Sequence, residues 1–389
     1  MIFIGRNDCM NIHTKDLLSS YFTIPFDLIT VDQPITYPVY VNSSSRESVE
    51  KFVKIVSEGE VLNSLLVEGF KKYLRVYVSE NDRKKYLKSL VYSTLAPDIE
   101  KVGVIKNCAI KYLDDIFSPG KEFNTEILSS ALEGCHESMK SMVTVIRDYD
   151  INKLKDLIAD LSFHDFYTYD HSINVSMYTV LIYKTLKPNA KEEDLISAGL
   201  GGLLHDLGKT KIPTDILNNT GKLSDEDFAV IKTHPEVGAE LFIASSPELP
   251  GAVKEAIKCV ILEHHENWDG TGYPNKMHGK DHHIFSRVCA IADFFDAITT
   301  KRSYSDVLPI EDALAVMEKT VGKKLDPKIF SFFVEKVSKT ILNGKSNIEL
   351  QEDFDTERAH NVLPLRKTQA KKLSSDFTKP EKSTVKKAN

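Results

Sequence analysis

At 389 residues the chain is long for a single core and divides more naturally into two domains. Its apolar (42%) and charged (27%) fractions are those of an ordinary soluble globular protein, and a net charge of −6 gives the chain no electrostatic reason to coat nucleic acid or an anionic membrane. Five scattered cysteines without a Cys-x-x-Cys pair argue against a disulfide framework and a thiolate zinc site. No run approaches the ~20 apolar residues that span a bilayer, and the N-terminal apolar stretch is too short for a signal peptide, so the expectation is a cytoplasmic protein.

Residues 1–96 read as a small α/β domain whose function does not follow from its pattern, with regulation and dimerisation both open to it. Phe22–Val31 and Thr36–Val41 have the β-branched and aromatic content of strands, and Ser43–Ser45 predicts a helix start running into ESVEKFVKIVSEG, 47–59. Leu74–Ser79 predicts a short strand, and NDRKKYLKSLVY, 81–92, an amphipathic helix. No catalytic cluster and no receiver-type acidic cluster stands in this region.

Residues 97–150 predict a helical linker that could transmit a signal or dimerise. Apolar residues recur at helical spacing through Ile110, Leu113 and Ile116, then Leu128, Leu132, Met139, Met142 and Val145, with a turn at Ser118–Pro119–Gly120. Residues 151–348 remain helical. Residues 349–389 turn polar and then lysine- and serine-rich, which predicts a disordered basic tail.

Chemistry concentrates in the helical part. In ISAGLGGLLHDLGKTKIP, 196–213, an apolar helix breaks at His205–Asp206; Gly208 suits the left-handed residue of a helix C-terminus and Pro213 bars further helix. Adjacent side chains on a helix point about 100° apart, so both can reach a metal cluster beside it, and an aspartate can bridge two ions. A second pair, His264–His265, ends another apolar run, and two adjacent imidazoles before a glycine-rich turn are awkward to bury unless something binds them. His171, His234 and Asp293 stand singly. Asp293 and Asp296 lie three apart on one helical face, and one of them is expected to be solvated. His13, His136, His164, His278, His282, His283 and His360 lack supporting context and are read as structural or surface residues. Nitrogen and carboxylate donors without thiolate suit iron, manganese, zinc or nickel in a dinuclear site.

HDLGK at 205–209, HP at 234–235 and HHENWDGTGYP at 264–274 together resemble the HD-GYP group of HD-domain phosphohydrolases, which degrade cyclic di-GMP. YTYDHSINV at 167–175, TGKLSDEDFAVIKTHPEVG and RVCAIADFFDAITTKRSY extend the likeness over about 164–341. The resemblance implies an α+β chain overall, with an all-α HD-type helical catalytic domain at 151–348 behind the small α/β domain. It implies His171, His205, Asp206, His234, His264, His265 and Asp293 as ligands of two divalent metal ions, iron or manganese foremost, with Asp206 bridging and no organic cofactor. Lys209 would meet the scissile phosphate, Arg302 a phosphate or guanine, and Gly272, Tyr273 and Pro274 would form the loop beside the site. The implied reaction is attack by a metal-bridging hydroxide on cyclic di-GMP to give linear pGpG, with onward cleavage to GMP left open.

Three departures from the family pattern bear on this. Tyr167 replaces a glutamate that lets some members hold a third metal, RSYSD (302–306) replaces a more basic stretch, and Asn219–Thr220 replaces Lys-Pro. The implied partners are cyclic di-GMP itself, diguanylate cyclases of the GGDEF type or other signalling proteins at the GYP loop, and a second copy of the chain. The alternative reading is a low-turnover cyclic di-GMP sensor or interaction module with an intact metal site; a nucleotidase of the wider HD group and another cyclic dinucleotide as substrate stand behind it.

Overall fold

The computed structural model describes residues 20–44, 51–93, 96–117, 124–147, 149, 169–217, 219, 223–246, 248–299 and 308–337. Tyr167, Arg302 and the rest of RSYSD, the turn at 118–120, Thr220 and the basic tail lie outside the described residues.

The first part is a four-stranded antiparallel sheet of β1 (Tyr21–Ile24), β2 (Val39–Asn42), β3 (Phe52–Val56) and β4 (Val76–Ser79) in the order β1-β4-β2-β3. Period-two alternation buries Val39 and Val41 of β2 and Val76 and Val78 of β4. Tyr40 and Tyr77 alternate with them; Tyr21 stacks on Phe52 at 4.1 Å, and Phe52 meets Tyr77 edge-on at 5.0 Å. The helix α1 spans Ser64–Phe70, and α2 spans Arg83–Leu90 and buries Tyr86, Leu87 and Leu90 in the same core.

Within the helix expected over 47–59, residues 52–56 are instead strand β3, paired with β2 from Asn42↔Phe52 to Val39↔Val56. The segment FVKIV is short and rich in β-branched and aromatic residues, so its apolar spacing serves either period. The ladder hydrogen bonds of β2 decide the matter.

Two long helices follow, α3 (Asp98–Phe117) and α4 (Thr125–Ile146). In α3 Val102, Ile105, Ala109, Leu113 and Ile116 are buried at three- and four-residue spacing. Asn124 caps α4 by accepting from Ile127 N at 2.9 Å. The ion pairs Lys84–Glu133 (2.5 Å) and Lys88–Glu137 (3.6 Å) join α2 to α4.

The remaining helices among the described residues are α5 (Asp170–Leu186), α6 (Glu192–Leu204), α7 (Thr214–Leu217), α8 (Asp225–Ile231), α9 (His234–Ser245), α10 (Gly251–Glu263), α11 (Ile284–Thr299), α12 (Ile310–Glu318) and α13 (Pro327–Val337). Apart from α7 and α8, these helices contribute buried residues to a core continuous with that of the sheet and of α3–α4. Among the described residues no helix is long and apolar enough to cross a membrane.

The helix α6 lies at the centre because its glycines let neighbours close in. A Cβ on Gly199 would stand 2.5 Å from Met139 of α4 and 2.7 Å from Val180 of α5; one on Gly201 would stand 2.7 Å from Val260 of α10. The C-terminus of this packed helix delivers His205 and Asp206.

Candidate metal centre

Three histidines sit at helix ends and share one device. His205 follows α6 and His264 follows α10 as C-cap residues, while His234 opens α9 just beyond α8. Each ring places Nδ1 on the carbonyl three residues earlier: His205 on Gly202 at 2.8 Å, His234 on Ile231 at 2.8 Å, His264 on Ile261 at 2.9 Å. These carbonyls belong to helix C-termini, where the last C=O groups lack intrahelical partners. A carbonyl only accepts, so each Nδ1 carries the proton and each Nε2 is left with its lone pair.

Those lone pairs converge. His234 Nε2 and His264 Nε2 are 3.2 Å apart, both residues are buried, and His205 Nε2 is a buried atom with no hydrogen bond among the described residues. The Asp206 carboxylate stands between them, with Oδ1 at 3.5 Å from His234 Nε2 and 3.9 Å from His264 Nε2, and Oδ2 at 3.3 Å from His205 Nε2. His264 is held neutral, its pKa well below the ordinary histidine value, by burial first and then by the imidazoles of His265, His205 and His234. Lone pairs facing lone pairs and a carboxylate oxygen repel unless a cation lies among them. This donor set therefore fits a divalent metal ion.

Potential ligand atoms fall into two groups, His234–His264–His265 and His171–His205–Asp206, each with its atoms within 4.8 Å of one another. Asp206 offers one oxygen toward each group. Asp293 on α11 joins the second, its Oδ1 at 3.2 Å from His171 Nε2. Burial alone would raise the Asp293 pKa, but the adjacent His171 ring first, and then those of His205 and His265, act the other way and hold it below the carboxylate range. All seven residues that sequence singled out as ligands thus gather in one place. His136, His278, His282 and His283 stay outside both groups.

Lys209 lies on the 3-10 turn Leu207–Lys211, its Nζ 2.8 Å from Asp206 Oδ2, so a cation stands at the edge of the carboxylate. Gly208 on this turn is not left-handed, contrary to the C-terminus expected there. Its role is close approach: an added Cβ would fall 1.9 Å from the His234 carbonyl and 2.7 Å from Gly238 N. Only a glycine lets the His205–Asp206 turn lie against the start of α9.

The loop after His265 is similarly tight. A Cβ on Gly272 would meet Asn267 N at 2.2 Å and His265 O at 2.5 Å. Tyr273 stacks on the His265 ring at 4.8 Å and its N donates to the His265 carbonyl at 3.2 Å. Pro274 follows across a cis peptide bond. Glu266, buried, accepts from Asn275 N (2.6 Å) and Met277 N (3.0 Å) and fixes the return of the loop.

Sequence reasoning missed Asp296. It is 1% exposed rather than solvated, and its carboxylate accepts from His171 Nδ1 at 2.7 Å and from Asn174 Nδ2 at 2.9 Å. This fixes the tautomer of His171 as the carbonyls fix the others. Glu266 was missed as well, since a glutamate beside two histidines has no pattern of its own. The Asp-x-x-Asp spacing on an apolar helix was the available signal for Asp296.

The HD domain family matches residues 154–329. The chain is 35% identical over 189 residues to a cyclic di-GMP phosphodiesterase of Pseudomonas aeruginosa, covering 48% of this chain and 43% of that one. It is 39% identical over 132 residues to 3'3'-cGAMP-specific phosphodiesterase 2 of Vibrio cholerae, covering 34% of this chain and 24% of that one. The matched stretch thus spans less than half the length of either relative. A solved structure of an HDGYP protein from Bdellovibrio bacteriovorus superposes with a TM-score of 0.50 at 19% identity, covering 82% of this chain and 99% of that one, a likeness of fold.

Proposed function

We propose that the protein is a metal-dependent phosphodiesterase of the HD-GYP type that opens cyclic di-GMP to linear pGpG, a reading supported by the match of residues 154–329 to the HD domain family. The observation that carries this is the convergence of buried imidazole lone pairs on the two oxygens of Asp206. The names of the cyclic di-GMP phosphodiesterase relatives point the same way.

His171, His205 and Asp293 would hold one ion and His234, His264 and His265 the other, with Asp206 shared by the two groups, and iron or manganese would be the metals. When bound, two such ions supply a nucleophile at neutral pH and offset phosphate charge. The chain's own residues do the rest. Lys209, 2.8 Å from Asp206, turns its ammonium to a non-bridging phosphate oxygen, where negative charge grows in the transition state. The aromatic face of Tyr273, fixed by its stack on His265, bounds the site with Gly272 and Pro274. Arg302 is assigned to a phosphate or guanine, and Tyr167 in place of glutamate leaves the count at two metals. The α/β region at 1–96 is assigned to regulation, 97–150 to a helical connection, 151–348 to catalysis and 349–389 to a basic tail.

A second reading, hydrolysis of 3'3'-cGAMP by the same site, is favoured by the 39% identity to the Vibrio cholerae enzyme named for that substrate. Full-length protein purified anaerobically is incubated with manganese or ferrous iron and each cyclic dinucleotide, and products are separated by chromatography. Formation of pGpG, lost on Asp206→Ala by about 100-fold or more, is expected. Intact cyclic di-GMP with both metals rejects the assignment; turnover of 3'3'-cGAMP alone replaces it with the second reading.

A further inference from the structure

His171 is held differently from the helix-end ligands. The side chains of His205, His234 and His264 are 0–1% exposed, whereas that of His171 is 22% exposed. It stands in the first turn of α5, whose N-cap residue Tyr169 gives no side-chain cap. Helix starts fray unless something ties them down.

Here the tie comes from α3. Lys106 Nζ lies 2.9 Å from Oδ1 of Asp170, the residue immediately before His171, and the two side chains are only 7% and 11% exposed. The Tyr169 hydroxyl donates to Asp114 Oδ1 at 3.4 Å, and the Tyr169 ring lies 6.0 Å from that of Phe117. Lys106, Asp114 and Phe117 share one side of α3, at spacings of eight and three residues. A buried ion pair adds little net stability over an apolar pair of equal size, but it accepts one geometry and is costly to break on one side. The same helix is gripped from the sheet domain: Arg83, paired with Glu80 at 2.6 and 2.7 Å, places Nη1 3.2 Å from Cys108 Sγ. Lys106 thus sits between the N-terminal domain and the first turn that carries a metal ligand, and it lies outside the stretch matched by the HD domain family.

We propose that Lys106 is a positioning residue for His171, so that the seating of α3 sets the affinity of the His171–His205–Asp206 group for its divalent ion. This rests on the metal-site reading above, and it gives the N-terminal domain a physical route to that site. Manganese binding to the full chain is followed by titration calorimetry and by metal content after gel filtration, alongside thermal melting. Wild type should take up two equivalents. Lys106→Met should weaken one of them by about 10–100-fold and leave the other unchanged, and Lys106→Arg should restore it. The double variant Lys106→Met/Asp170→Asn also removes the carboxylate charge that Lys106 faced; it should regain melting temperature without regaining the metal affinity. If Lys106→Met fails to fold, the double variant decides. Recovery of both properties in the double variant, or two full-affinity equivalents in Lys106→Met, reduces Lys106 to a fold anchor and overturns the inference. A wild type that takes up no manganese overturns the site reading and this inference with it, so the two failures are distinguishable.

Discussion

His205, His234 and His264 each do two jobs with one ring, closing a helix-end carbonyl with Nδ1 and presenting Nε2 to the centre. The backbone therefore sets their tautomers, and no separate orienting side chain is needed. His171 is the exception, because it stands in the first turn of a helix, the end that presents unpaired N–H groups and not carbonyls. Its orienting group has to be a side chain, and Asp296 supplies it at 2.7 Å. Asp296→Asn keeps the shape but removes the charge, and an amide can turn its NH2 toward the ring. We expect about 10-fold weaker metal binding in the group containing His171, read by calorimetry, with a fold-level melt close to wild type. Unchanged affinity would falsify the orienting role. As candidates, His205–Asp206 and His264–His265 were legible in sequence because each pair ends an apolar run at a turn, whereas His171, His234 and Asp293 stand singly and were reached only through the family resemblance. Asp296 was not legible, because an aspartate one turn from another on an apolar helix reads equally well as solvated.

At the scale of elements the site depends on how closely backbones approach. The His205–Asp206 turn reaches the start of α9 only because Gly208 and Gly238 have no side chains, the Cβ positions lying 1.9 and 2.8 Å from the facing backbone. Backbone cannot swing aside as a side-chain tip can. Gly208→Ala should therefore destabilise by about 1–3 kcal/mol or more and weaken both metal equivalents, since it moves Asp206 away from His234. Gly103→Ala in α3 meets nothing within 4 Å and should instead stabilise slightly, by about 0.5–1 kcal/mol. Thermal melts and metal titrations of the two variants separate close approach from helix propensity; equal behaviour of both removes the argument. The helices α3 and α4 were readable from periodicity because each runs five turns or more with a clean apolar stripe. The strand β3 was not, since five residues fit either period and its partner β2 lies ten residues away in sequence. Gly208 carried the right residue for the wrong reason: sequence flags a glycine, but only the packed neighbour says whether it serves a left-handed turn or a contact.

Across the whole molecule the centre is a concentration of imidazoles and carboxylate packed against the core, so stability, protonation and metal binding are linked. The folded chain holds His264 well below its ordinary pKa by burial and by its imidazole neighbours, whereas the unfolded chain does not. Between those two values the unfolded state binds a proton that the folded state refuses. Stability is therefore greatest above the unfolded value of about 6.5 and falls as pH drops below it. Lowering the pH from about 7.5 to about 5.5 therefore costs chelator-treated protein stability through this one ring. Metal adds a second dependence of the same sign. A divalent ion at a hundred times its dissociation constant stabilises the folded state by about 2.7 kcal/mol, and protons compete for the same lone pairs. The expected result is a melting temperature that rises with manganese at about pH 7.5, a gain that shrinks toward about pH 5.5, and a shallower fall with pH in the chelated protein. A melting temperature indifferent to manganese at the higher pH contradicts a built metal centre, and a chelated protein whose melt is flat over this range contradicts the buried neutral His264 at its heart.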